Sequence, residues 1–236
     1  MRLRPTRETA SAGLLLAASV VYNDWVLQFF LPTGLNQRDS YVSEVFAADQ
    51  PYRILFSLVE IACAALVVTG GALAWTVLPG SWASAGCTAT MAFGVFSTAD
   101  VLLPLHCAPS LERGCPEGSP WHTTTSGMVH FALFASMALF ITASRHGHPP
   151  LKLVRRWGPW LLALSMTAAI LTVGPFFGHP GGHGLAQRIH LTSVGAWFAL
   201  LAVAIYRYGA GDGPSSCQPG DLGERRCAKR CRLPRG

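Results

Sequence analysis

The stretch VVYNDWVLQFF, Val20–Phe30, decides how this chain is read. It lies in an apolar run from Ala10 to Leu31, long enough to cross a bilayer as a helix, which takes roughly 20 residues. Yet it carries Asn23 and Asp24. An ionisable side chain at the bilayer centre costs roughly 2.5–3.5 kcal/mol on insertion scales. An acid in such a place needs either a polar partner inside a bundle or a task.

The rest of the chain agrees with a membrane setting. Of its 236 residues half are hydrophobic and only 13% are charged. Mean hydropathy is +0.34. A soluble domain carries about a quarter charged residues, so the deficit is too large for a fully solvated surface. The net charge of +6 does not indicate nucleic acid, because the basic residues gather between and after the apolar runs.

Six runs read as helices: Ala10–Leu31, Tyr52–Leu78, Trp82–Leu103, Thr123–Ser144, Val154–Phe177 and Leu185–Tyr208. They are too long and too continuously apolar for barrel strands, and only helices and closed barrels satisfy the backbone in lipid. The expectation is an all-α, polytopic membrane helical bundle over residues 1–208, with about six transmembrane helices. Arg2, Arg4 and Arg7 precede the first run, and Arg145, Lys152, Arg155 and Arg156 separate the fourth from the fifth. Arg207 and a further six basic residues from Arg225 to Arg235 follow the last. The other side has scattered Arg38, Arg53, Arg113 and Arg188. The positive-inside rule then puts both termini in the cytoplasm, in a multi-pass membrane protein. The N-terminal run lacks a small-residue cleavage site and reads as an uncleaved anchor. Residues 209–236, rich in Gly, Pro, Arg and Cys, read as a disordered basic cytoplasmic tail.

Cysteines add a check. Cys107 and Cys115, in HCAPSLERGC, fall on the outer side, where a disulfide can persist. Cys217, Cys227 and Cys231 lie in the tail and read as incidental thiols. Cys63 and Cys87 read as small packing residues.

Threading the runs antiparallel brings polar groups to one depth. Asp24 lies seven positions before Leu31, about 10 Å below the outer end at 1.5 Å per residue. Glu60 lies about 13 Å down by the same rise. Asp100, His130 and His190 fall in the same outer half. The fifth run, WGPWLLALSMTAAILTVGPFF, has no such group. The outer connections add Ser43, Glu44, His106, His122, His179, His183 and Arg188.

Three readings of this layer stand side by side. In one, His130, His190 and Asp100 hold zinc with an open position, and Asp100, Ser43 and Glu44 carry or assist hydrolysis of a lipid amide or ester. In the second, the pocket binds a lipid-like ligand or exchanges protons, with Asp24, Glu60 and Arg188 as its contacts. In the third, the polar groups are interhelical glue, worth about 0.6 kcal/mol per bond. No HExxH is present, and HPGGH is not a helical histidine pair. Gly70, Gly71 and Gly94 read as sites of close helix approach.

Four segments carry a resemblance: YVSEVFAADQPY after the first run, STADVLLPLHC ending the third, GMVH in the fourth and GLAQRIH opening the sixth. Through them the chain resembles a bacterial six-span membrane family of unknown function, domain of unknown function 998, from about Leu14 to Tyr208. That resemblance implies a fold, and attention to Ser43, Glu44, Asp100 and His130, but no settled activity. The chain is more loosely similar to the membrane hydrolases that include the alkaline ceramidases, which set a serine, an aspartate and three histidines around zinc. It departs from them in having only His190 in its last run and one span fewer.

Overall fold

The structure, a computed structural model, describes residues 6–116, 118–147, 149–178 and 181–212. Among them are six α-helices and no strand: α1 (Arg7–Val21), α2 (Arg53–Val77), α3 (Ser81–Leu102), α4 (Pro120–Arg145), α5 (Lys152–Thr172) and α6 (His183–Arg207). The tail cysteines, His148 and His179 lie outside the described residues.

Local chemistry fixes where the helices start. The Thr6 hydroxyl accepts a hydrogen bond from the Thr9 N–H and caps α1. Pro120 opens α4, where its missing N–H costs nothing. Gly182, at φ 77°, turns the chain into α6. Each helix packs chiefly against its neighbours in sequence, and α6 returns to pack against α1. The result is a closed ring of antiparallel helices. One end carries the chain's two terminal helix ends and the short turns after α2 and α4. The other carries the long connections after α1, α3 and α5, and is called the loop end below.

Five segments are long and apolar enough to cross a membrane: Arg7–Phe29, Arg53–Val77, Ser81–Leu102, Pro120–Arg145 and His183–Ala210. The chain is therefore an integral membrane protein by composition and helix length. The fifth expected span does not meet that standard. Its helix holds Lys152, Arg155 and Arg156 in its first turns, contains Pro159, and stops at Thr172 before a short 3-10 turn at Gly174–Phe177. The first span is also corrected. The α-helix ends at Val21, about 22 Å after it starts, and the crossing is completed by a 3-10 turn, Asp24–Phe29. Asn23 sits at the break. Its Nδ2 donates to the Ser19 carbonyl at 2.8 Å, and its Oδ1 accepts from the Trp25 indole at 3.2 Å. Asp24 thus belongs to a break in the helix rather than to its wall.

The ring is filled from inside. Tyr22, Phe93 and Phe198 form a triangle of rings with centroids 5.3–6.1 Å apart. Phe140 and Trp197 meet on the terminal side of it. Close approach is secured by missing side chains, as expected for Gly94. A Cβ there would stand 2.8 Å from the Val68 side chain and 2.9 Å from the Ala64 carbonyl. Interhelical hydrogen bonds are few and specific: Ser11 donates to the Gly70 carbonyl at 2.8 Å, and the Thr90 and Ser136 hydroxyls meet at 2.8 Å.

Candidate functional site

Above the aromatic triangle, at the loop end, lies a cavity of about 90 Å³. Tyr22 forms its floor, and Val42, Ser43 and Phe46 of a 3-10 helix, Val42–Phe46, form its roof. Asp24 enters from the turn after α1, Glu60 from α2, Ser97 and Asp100 from α3, and His122, Ser126 and His130 from α4. Gln187 and Leu191 come from α6. Helix α5 contributes nothing to the wall. Among the described residues no lysine or arginine lines the cavity.

The three carboxyls have different surroundings. Asp100 Oδ1 accepts hydrogen bonds from Thr125 Oγ1 at 2.6 Å and Ser126 Oγ at 2.8 Å. His122 Nδ1 lies 3.2 Å from the same oxygen, an ion-pair distance, but off-line for a hydrogen bond. Glu60 has the Ser97 hydroxyl beside it. Asp24 is only 8% exposed, and its Oδ2 has no hydrogen-bond partner among the described residues. An unsatisfied buried polar oxygen is costly, about 1–3 kcal/mol. Asp24 is therefore not explained as glue.

The histidines are oriented by their neighbours. His130 Nδ1 lies 2.7 Å from the Ser126 carbonyl. A carbonyl only accepts, so Nδ1 carries the proton and the lone pair belongs to Nε2. His190 stacks on His130 with ring centroids 4.7 Å apart and an interplanar angle of 11°. It does not line the cavity. Its Nδ1 lies 3.0 Å from both the Ser165 carbonyl and the Ser165 hydroxyl of α5. The fifth helix thus buttresses the site without entering it.

Two of the expected site residues are employed elsewhere. Glu44 is buried, and its Oε1 accepts from the Tyr41 N–H at 2.8 Å. Its Oε2 accepts from both the N–H and the hydroxyl of Ser110, at 2.9 and 2.6 Å. Ser110 sits in the loop closed by the Cys107–Cys115 disulfide, which the structure contains as expected. Arg188 is also buried. Its Nη1 donates to the carbonyls of Gln37, Ser40 and Gly184, and its Nη2 to Gln28 Oε1 at 2.5 Å. The two terminal nitrogens thus hold the loop after α1 against α6, while the buried Nε has no partner among the described residues.

The geometry does not gather His130, His190 and Asp100 as zinc ligands. Among the described residues no group of three or more His, Cys, Asp or Glu could hold a metal ion. The stacked rings lie parallel, and His190 turns its Nδ1 to α5. The structure brings together Asp24, Glu60, Asp100, His130 and Ser43, and leaves Glu44, Arg188 and His190 outside the cavity wall. Sequence reasoning missed four lining residues with polar groups, Tyr22, Ser97, Ser126 and Gln187, and underrated His122. Tyr22 was adjacent to Asn23–Asp24 and could have been found there. Ser97, in GVFSTAD, lies one turn before Asp100 on the same helix face.

A closed helical ring with a polar chamber at one end defines a polytopic membrane protein. Residues 11–204 match the family model described as protein of unknown function (DUF998), and the chain belongs to that family. No curated protein and no solved structure matches it.

Proposed function

We propose that this protein takes up and releases protons in the cavity between α1, α2, α3, α4 and α6, from the outer side of a bacterial cell membrane. One observation carries the reading. Among the described residues, Asp24, Glu60, Asp100, His122 and His130 share a chamber of about 90 Å³ with no lysine or arginine in its wall. In so small a space a proton held by one group changes the field at the others. The His130 ring holds its proton on Nδ1 and a lone pair on Nε2, and an ionised carboxylate is an acceptor only.

The size favours protons over a lipid. Sites for drug-sized molecules occupy roughly 300–1,000 Å³. A cavity of 90 Å³ holds a few waters, which relay protons between the groups, but no acyl chain. Arg188, the group that could have met a lipid phosphate, is spent on protein carbonyls. Two features support the orientation. Arg7, Arg145, Lys152, Arg155, Arg156 and Arg207 lie at the terminal end, and the disulfide lies at the loop end. Both termini are then cytoplasmic, and the cavity faces out.

The test is infrared difference spectroscopy of the full chain in lipid nanodiscs across a pH series, following the C=O stretch of protonated carboxyls. A titrating band that shrinks in Asp24→Asn and again in Glu60→Gln is the expected result. Spectra that change with pH equally in wild type and both folded variants would remove the cavity from proton exchange.

A further inference from the structure

We infer that the same cavity binds a small ammonium-type cation, with Asp24 as its principal counter-charge. The inference rests on the proton-exchange reading, because the carboxyls must give up protons to receive the cation.

Three features converge on that ligand. The first is the unpartnered acceptor. Asp24 is more than nine-tenths buried and lines the cavity, yet its Oδ2 meets no donor among the described residues. A donor from outside the chain is what the site lacks. The second is valence. Asp24, Glu60 and Asp100 reach the cavity from three different segments, and a primary ammonium presents three N–H donors. Among the described residues no lysine or arginine lines the wall, so no permanent cation among them occupies the position. The third is the mixed lining. Phe46, Val129 and Leu191 give apolar surface for a methyl group, and Tyr22, an aromatic ring of the kind that attracts cations, lines the same cavity.

Size and geometry narrow the class. Benzene fills an engineered cavity of about 150 Å³. A volume of 90 Å³ is smaller, and suits ammonium or methylammonium rather than a larger amine. A metal ion draws its ligands to about 2.0–2.6 Å. An ammonium spans about 2.7–2.9 Å to each oxygen, and among the described residues no group of three or more His, Cys, Asp or Glu is set to hold a metal.

The experiment is calorimetric titration of the full chain in zwitterionic nanodiscs with methylammonium, ammonium and tetramethylammonium chlorides. Each is run in two buffers of different ionisation heat, so that proton release is counted. Methylammonium or ammonium should bind and displace protons. Tetramethylammonium, wider and without an N–H, should not. Tighter binding of ammonium supports the inference with the inorganic ion as occupant, and tighter binding of methylammonium supports it with an organic amine. Asp24→Asn should weaken binding roughly thirtyfold or more, as loss of one partner of a buried charge pair does. Glu60→Gln provides a second reading if that variant does not fold, and Glu112→Gln, on the exposed disulfide loop, should bind as wild type. No binding by either ammonium ion, with the infrared carboxyl band still titrating, overturns this inference alone. No binding and no titrating band overturns the proton reading with it. Binding that persists in both folded cavity variants places the cation elsewhere and overturns it too.

Discussion

At the terminal end the helices meet through glycine, alanine and aromatic rings. At the loop end they meet through charged and polar groups, and the chain between them is folded as tightly as the helices. In the first region buried hydroxyls are paired at once, as with Thr90 and Ser136, and the Trp197 indole N–H is a buried donor without a partner among the described residues. In the second, two kinds of polar residue coexist. Both oxygens of Glu44 and both terminal nitrogens of Arg188 are bonded within the protein, while Asp24, which lines the cavity, has an oxygen with no partner among the described residues. The contrast separates groups that hold the molecule together from groups kept available.

Four substitutions and a pH series can break or sharpen that contrast. The largest effect is expected for Arg188→Ala, which strips donors from three carbonyls and from Gln28. A loss on the order of 3–5 kcal/mol is expected, read as a lowered unfolding midpoint in detergent. Lysine should not restore it, because it lacks the planar fork. An unaltered midpoint would mean that the loop is held by something other than this hub.

Glu44→Ala comes next, at about 2–3 kcal/mol, since it leaves the Tyr41 and Ser110 N–H groups without their acceptor. Opening of the disulfide loop should appear as faster amide exchange at Ser110. On the terminal side of the comparison, Gly94→Ala forces α3 away from α2 and should cost about 1–3 kcal/mol. If it cost nothing, the helices would be more loosely packed than the distances say.

Asp24→Asn should behave in the opposite way. Thermal stability at neutral pH should hold or rise by about 1 kcal/mol, because a buried group without a partner is made neutral. A marked fall in midpoint would class Asp24 with Glu44 and Arg188 as a structural residue.

The smallest effect concerns the exposed loop. A hydrogen bond with Asp49 raises the Glu112 carboxyl above its usual range. A raised carboxyl favours the folded loop while protonated. Its contribution is present below the ordinary glutamate range and disappears as pH rises through the raised value. Amide exchange in the disulfide loop should therefore quicken slightly over that interval, and Glu112→Gln should abolish the pH dependence.

Much of this was legible from the chain, and the limits have physical reasons. Helix length and apolarity follow from the requirement that lipid-exposed backbone bond itself, so the spans could be placed. The disulfide followed from two cysteines in one outer loop. Antiparallel threading put Asp24, Glu60, Asp100, His130 and His190 at one depth; the first four line the cavity, and His190 turns to α5 behind His130. What the sequence hid was direction. A 3.6-residue repeat does not say which way Arg188 or Glu44 points, and both turned to backbone groups contributed by distant loops. The break at Asn23 was hidden for a related reason. VVYNDWVLQFF is apolar enough to continue a helix, and only the Asn23 contacts to Ser19 and Trp25 show where it stops.

The Arg188 hub also fixes an order of events in biosynthesis. The carbonyls of Gln37 and Ser40 belong to the first connection, and the guanidinium that satisfies them is made some 150 residues later, in the last helix. Until α6 inserts, the ring is open, and the cavity lacks the wall that Gln187 and Leu191 supply. A ribosome stalled before His183 would present a segment around residues 36–47 that proteases can cut in the nascent protein and not in the finished one. The final helix is thus the membrane's checkpoint for every polar group made before it.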